Sequence, residues 1–144
     1  MAILVYCDFG VLSPNDRSTL LQTVYRALKP GGILILDVFY ETYVKRLEKL
    51  QTINYQSGGF WSPEDYVVVQ RNLYYEESKN TLEQYLIISE DKCKRYNIWN
   101  QIYSKESFEK EVLDVGFQDV RFYDDVRGNE FTGKSDTICG VFRK

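Results

Sequence analysis

Leu28-Lys29-Pro30-Gly31-Gly32-Ile33-Leu34-Ile35-Leu36-Asp37-Val38-Phe39 joins the end of a helix to a buried strand. Upstream, Leu20, Leu21, Val24 and Leu28 repeat at three- and four-residue spacing and form one apolar stripe, which Pro30 and the glycine pair bring to an end. The helix begins at Ser13, a good N-cap, with Pro14 in the first helical position and Asp16 in the first turn. Before it, Ile3 to Cys7 is a continuous apolar run, the pattern of a strand covered on both faces. Asp8-Phe9-Gly10 breaks that run. The unit is therefore strand-helix-strand, and its crossover is expected to be right-handed.

Beyond Phe39 the pattern changes. Glu41 to Leu50 reads as a short helix with Tyr43, Leu47 and Leu50 on one side, and Ser57-Gly58-Gly59 as a loop. Tyr66–Tyr75, Thr81–Ser89 and Lys92–Trp99 are rich in β-branched and aromatic residues and are separated by polar turns, which predicts a three-stranded antiparallel meander. Ser104 caps a further helix carrying Phe108, Val112 and Val115 on one face, and Gly116 ends it. Strands at Asp119–Tyr123 and Thr137–Arg143 complete the chain.

Composition narrows the function classes. The 144 residues contain 44% apolar and 27% charged side chains, enough for one soluble domain with a real core. The net charge of -3, with both signs interspersed, provides no basic face for nucleic acid. No run approaches the length of a membrane helix, and no basic-flanked leader opens the chain, so the default expectation is a cytoplasmic protein. Cys7, Cys93 and Cys139 are far apart and form no CxxC pair, which argues against a zinc site and for a reducing compartment. With no histidine, triad and histidine-metal mechanisms are excluded within these residues, and no metal is expected.

Asp8-Phe9-Gly10-Val11-Leu12-Ser13-Pro14, the Leu20-Leu21 helix, Leu28-Lys29-Pro30-Gly31-Gly32, the strand with Asp37, and the late Val115-Gly116-Phe117 before a strand resemble, in that order, the central and C-terminal motifs of class I S-adenosylmethionine-dependent methyltransferases. The resemblance covers nearly the whole chain and implies an α/β fold, the C-terminal half of a Rossmann-like seven-stranded sheet with an antiparallel β-meander insertion. Strands four to seven are present. The acidic, glycine-rich loop that holds the cofactor in that family has no counterpart, since Gly10, Gly31 and Gly32 are the only glycines before residue 58 and serve a turn and a helix end.

The resemblance implies one partial domain over residues 1–144, with 60–103 as an inserted region covering the substrate. It implies S-adenosylmethionine as cofactor, with Cys7, Asp8 and Phe9 facing its methyl group and the acceptor. Trp61, Trp99 and Tyr103 become the candidate substrate-binding residues, where rings can hold an amine or a sulfonium. No catalytic residue stands out. The expected activity is methyl transfer to a small-molecule acceptor by a protein of which this chain is a truncated form, inactive in isolation, or by an assembly whose other chain brings the nucleotide loop. A noncatalytic binding or oligomerisation module keeping the fold is the alternative. The outer edge of Ile3–Cys7, apolar and lacking its usual neighbour, predicts self-association into a homo-oligomer, with neither nucleic acid nor membrane as partner.

Overall fold

The computed structural model describes residues 1–47 and 51–144, which divide into two compact units: Met1–Tyr43 with Asn100–Lys144, and Val44–Trp99. The first unit contains strands β1 (Ala2–Leu4) and β2 (Ile33–Phe39), with a 3-10 turn at Asp8–Val11 and helix α1 (Pro14–Ala27) between them. Helix α2 (Tyr43–Leu47) starts at its boundary, and Leu50, which the sequence placed on the same stripe, lies outside the described residues. The second unit holds β3 (Thr52–Ser57), β4 (Asp65–Tyr75), β5 (Asn80–Ile88) and most of β6 (Cys93–Gln101). Helix α3 (Lys105–Leu113), β7 (Gln118–Tyr123) and β8 (Thr137–Arg143) return to the first unit.

The first sheet has the order β1-β2-β8-β7, with β1 parallel to β2 and the other neighbours antiparallel. Its core lies on one face. Leu34, Leu36, Val38, Ile138 and Phe142 meet Leu21 of α1 and Phe108 and Val112 of α3, all under 4% exposed. Caps form where the sequence puts them: the Ser13 hydroxyl accepts the Asp16 amide, and Ser104 and Ser107 form a reciprocal capping box. At the helix-to-strand junction Gly31 adopts φ 76°, and a Cβ on Gly32 would lie 2.7 Å from the Lys29 carbonyl oxygen. The Gly31 amide donates to the Lys144 carbonyl at 2.8 Å, so this reversal is sewn to the last residue of the chain.

Three sequence expectations are corrected. The first strand ends at Leu4 and not at Cys7, because Tyr6 (φ 73°) and Cys7 (φ 60°) turn into the left-handed region. The expected three-stranded meander is a four-stranded sheet of order β3-β4-β5-β6. The additional strand, Thr-Ile-Asn-Tyr-Gln-Ser, is exposed along its whole length, and its apolar alternation is confined to two residues, Ile53 and Tyr55. The predicted Ser57–Gly59 loop accordingly starts only after Ser57. Strand β7 begins one residue early and carries a bulge between Gln118 and Arg121, with Asp119 left-handed.

Arg17 links the two helices of the first unit. Its Nε donates to Glu111 of α3 at 2.6 Å, its guanidinium donates to the Leu12 carbonyl at 2.8 Å, and it lies over the rings of Phe9 and Tyr103. Glu111 also accepts the Tyr103 hydroxyl at 2.8 Å. Because Arg17 is only 6% exposed, Arg17→Ala leaves Glu111 without its cation. It should cost about 2–3 kcal/mol in urea denaturation. Arg17→Met with Glu111→Leu should recover much of that loss, and a double variant no better than the single would show that packing and not the ion pair is responsible.

Candidate functional site at the carboxyl ends of β1 and β2

In open sheets with parallel strands, ligands sit beyond the carboxyl ends of those strands. Here the chain does something costly at that place. Two consecutive residues with side chains, Tyr6 and Cys7, adopt left-handed φ values, at a cost of about 1–2 kcal/mol each. Asp37, near the end of β2, offsets that cost: the Cys7 amide donates to its Oδ1 at 2.9 Å, and the Tyr6 amide bonds the same carboxylate. Successive backbone N–H groups thus converge on one anion. The result is a fixed turn whose Tyr6 ring projects into solvent at 89% exposure.

A groove of about 430 Å³ opens beside this turn, lined mainly by apolar atoms of Val5, Tyr6, Cys7, Phe39 and Val126, with Asp37 and Thr137 also in its wall. Burial raises the Asp37 carboxyl above its ordinary value, against the opposing pull of the Cys7 and Tyr6 amides. Burial also pushes the Cys7 thiol well above the usual thiol range, assisted by the charges of Asp37 and Asp8. The neighbouring Cys139 is pushed up to about 11, again chiefly by burial. Neither thiol is an activated nucleophile.

The predicted site residues separate. Cys7 lines the groove but is 4% exposed. Asp8 is exposed at the start of the 3-10 turn. Phe9 is 0% exposed and packs with Tyr103 at 6.4 Å between ring centres, under α1. Tyr103 is itself 2% exposed and bonded to Glu111. Within the second unit, Trp61 belongs to a ring cluster with Phe60, Tyr85 and Tyr96, and Trp99 pairs with Tyr75. Trp61 and Trp99 therefore belong to separate aromatic groups. The sequence did not single out Asp37 or Tyr6 as site residues. A lone acid inside an apolar strand was the available signal, since a buried carboxylate requires donors.

No protein-family model matches the chain. The carboxy-S-adenosyl-L-methionine synthase of Shewanella sediminis is 27% identical over 109 residues, 72% of this chain and 45% of that protein. The chain thus spans about half the length of the curated relatives it matches. The solved CcbJ methyltransferase of Streptomyces caelestis superposes with a TM-score of 0.69 at 12% identity, covering 98% of this chain and 58% of that one. The sugar N-methyltransferase KedS8 of a Streptoalloteichus species gives 0.58 at 14% identity, covering 99% and 55%. Together with the sheet order, these likenesses show the fold: a partial Rossmann-like domain with the fold of class I S-adenosylmethionine-dependent methyltransferases, carrying an additional antiparallel sheet.

Two measurements follow from the site chemistry. In native buffer a disulfide reagent should modify Cys93, which is exposed, quickly, and should reach Cys7 and Cys139 only on unfolding; fast native labelling of Cys7 would contradict its burial. Because the folded Asp37 holds its proton to higher pH than the unfolded residue, its contribution to stability is greatest below the unfolded value near 4 and is lost as pH rises through the raised folded value. The stability difference between wild type and Asp37→Asn, measured by denaturation across that window, should therefore shift against the wild type as pH rises.

Proposed function

We propose that these residues belong to an S-adenosylmethionine-dependent methyltransferase acting on a small molecule, and that they supply one wall of its cofactor site. The observation that carries this proposal is the coincidence of the sheet order β1-β2-β8-β7 with a groove at the carboxyl ends of its parallel strands. The names of the matched proteins agree with it: a carboxy-S-adenosyl-L-methionine synthase, a methyltransferase and a sugar N-methyltransferase.

The residues present fit part of the cofactor. Transfer from a sulfonium depends on placement more than on proton movement, and the apolar wall of Val5, Tyr6, Phe39 and Val126 suits a sulfonium and its methyl group. The rest of the cofactor is not accommodated. Its hydroxyls and its amino-acid end need a free acceptor and a glycine cradle. The Asp37 carboxylate is already engaged by two amides, and a Cβ on Gly10 would lie 3.1 Å from the Gln101 carbonyl oxygen, so Gly10 serves packing. Of the predicted set, Cys7 in the groove lining and Asp8 exposed at the adjoining turn support a role facing the cofactor, and Phe9 supports them from the core. For the acceptor, the rings of Trp61 and Trp99 are surfaces available in the second unit, and the contribution of Tyr103 is structural.

Backbone amide NMR tests this on the chain itself. Addition of S-adenosylmethionine should shift the amides of Tyr6, Cys7, Asp8 and Phe39 with an affinity about millimolar, as expected for half a site. Shifts scattered over the surface, or none at all, would overturn the proposal.

A further inference from the structure

Two connections of the second unit leave its sheet at the same end. Ser57 pairs with Asp65 where β3 meets β4, and Val67 pairs with Ile88 where β5 finishes, so the links 58–64 and 89–92 are neighbours. Each is fixed by its own backbone: the Gly59 amide donates to the Ser62 carbonyl at 2.8 Å, and the Ser89 amide to the Lys92 carbonyl at 2.9 Å. Between them is a cup of about 240 Å³. Trp61, Pro63 and the buried Ile87 give it apolar surface, and Lys92, Lys94 and Glu64 give it charge. Trp61 is held in place from behind. Its ring centre lies 5.3 Å from that of Tyr85 and 4.8 Å from that of Tyr96, neither of which lines the cup, and Phe60 meets it edge-on at 4.9 Å. Tyr85 is itself anchored, since its hydroxyl donates to Glu83 at 3.0 Å and accepts from Gln70 at 3.2 Å. The indole is thus preorganised for a flat partner.

We propose that this cup binds a small aromatic carboxylate, with its ring packed on Trp61 and its anionic end held by Lys94 and Lys92. Charge decides the sign of the ligand. Two lysines line the cup against one acid, Glu64. Lys92 shares its charge with Asp91, 3.7 Å away on the same exposed turn, whereas Lys94 has no hydrogen-bond or ion-pair partner among the described residues. An amine or a sulfonium on Trp61 would share the space with two ammonium groups, while a carboxylate gives Lys94 the charge-assisted partner it lacks. Size decides the rest. Sites for drug-sized ligands run to about 300–1,000 Å³, so this cup takes one ring system with one anionic group and not a nucleotide. A simple anion without a ring would leave Trp61, Pro63 and Ile87 wet, and would gain little from exposed lysines in water. In a methyltransferase this ligand is the acceptor, and that assignment alone rests on the function proposed above. The binding itself needs no cofactor and stands on the second unit.

Amide and indole NMR of the full 144-residue chain tests this with four probes, benzoate, benzyl alcohol, acetate and benzyltrimethylammonium, all without S-adenosylmethionine. Benzoate should shift Trp61, Ser89, Lys92 and Lys94 together, with an affinity about millimolar for so few atoms. Benzyl alcohol, which keeps the ring and loses the charge, should bind about tenfold more weakly. Added salt should weaken benzoate and leave benzyl alcohol unchanged. Lys94→Gln, at an exposed position that the fold does not need, should cost about tenfold for benzoate and nothing for benzyl alcohol. The proposal is overturned by benzoate shifts absent from these residues, by equal affinity for benzoate and benzyl alcohol, by acetate reproducing the benzoate shifts, by tighter binding of benzyltrimethylammonium, or by benzoate binding indifferent to Lys94→Gln. None of these outcomes touches the cofactor wall, which is judged on Tyr6, Cys7 and Asp8 in the first unit.

Discussion

Strand β2 is the constraint on which the first unit depends. All seven of its residues pair antiparallel with β8, and Leu34, Ile35 and Leu36 pair parallel with β1 as well, so all of Ile33–Phe39 is held in one register. That register gives its two faces different tasks. Leu34, Leu36 and Val38 enter the core, and Asp37 turns from the other face towards the backbone of Tyr6 and Cys7. A one-residue slip would exchange these sets, placing a carboxylate in the core and leaving two left-handed residues without their acceptor. Packing of the core and shaping of the site are thus one event.

The Arg17 network gives the same economy on the covered face. A single guanidinium spans α1, α3 and the carbonyl that ends the 3-10 turn, while stacking on Phe9 and Tyr103. The turn carrying Cys7 and Asp8 is therefore braced at both ends. Asp37 holds its amides from above the sheet, and Phe9 and Arg17 hold its exit from below. A segment braced in this way can keep strained backbone angles that an isolated loop would relax.

The strong local signals in the sequence correspond to the framework. Ser13-Pro14 and Ser104 start helices, Gly31 and Gly116 end them, and the 3.6-residue stripe of Leu20, Leu21, Val24 and Leu28 identifies the covered face. Strand β3 escaped notice because its alternation is limited to Ile53 and Tyr55, both exposed, and so short a run does not distinguish a strand from a loop. The left-handed turn at Tyr6–Cys7 was equally hidden: neither residue favours positive φ, and what fixes it is an acid thirty positions away. Phe9 shows the converse. A motif resemblance placed it near a ligand, but only three-dimensional packing could show that its ring has no exposed surface. Site residues were legible as a segment and not as roles, because roles depend on which atoms the fold leaves open.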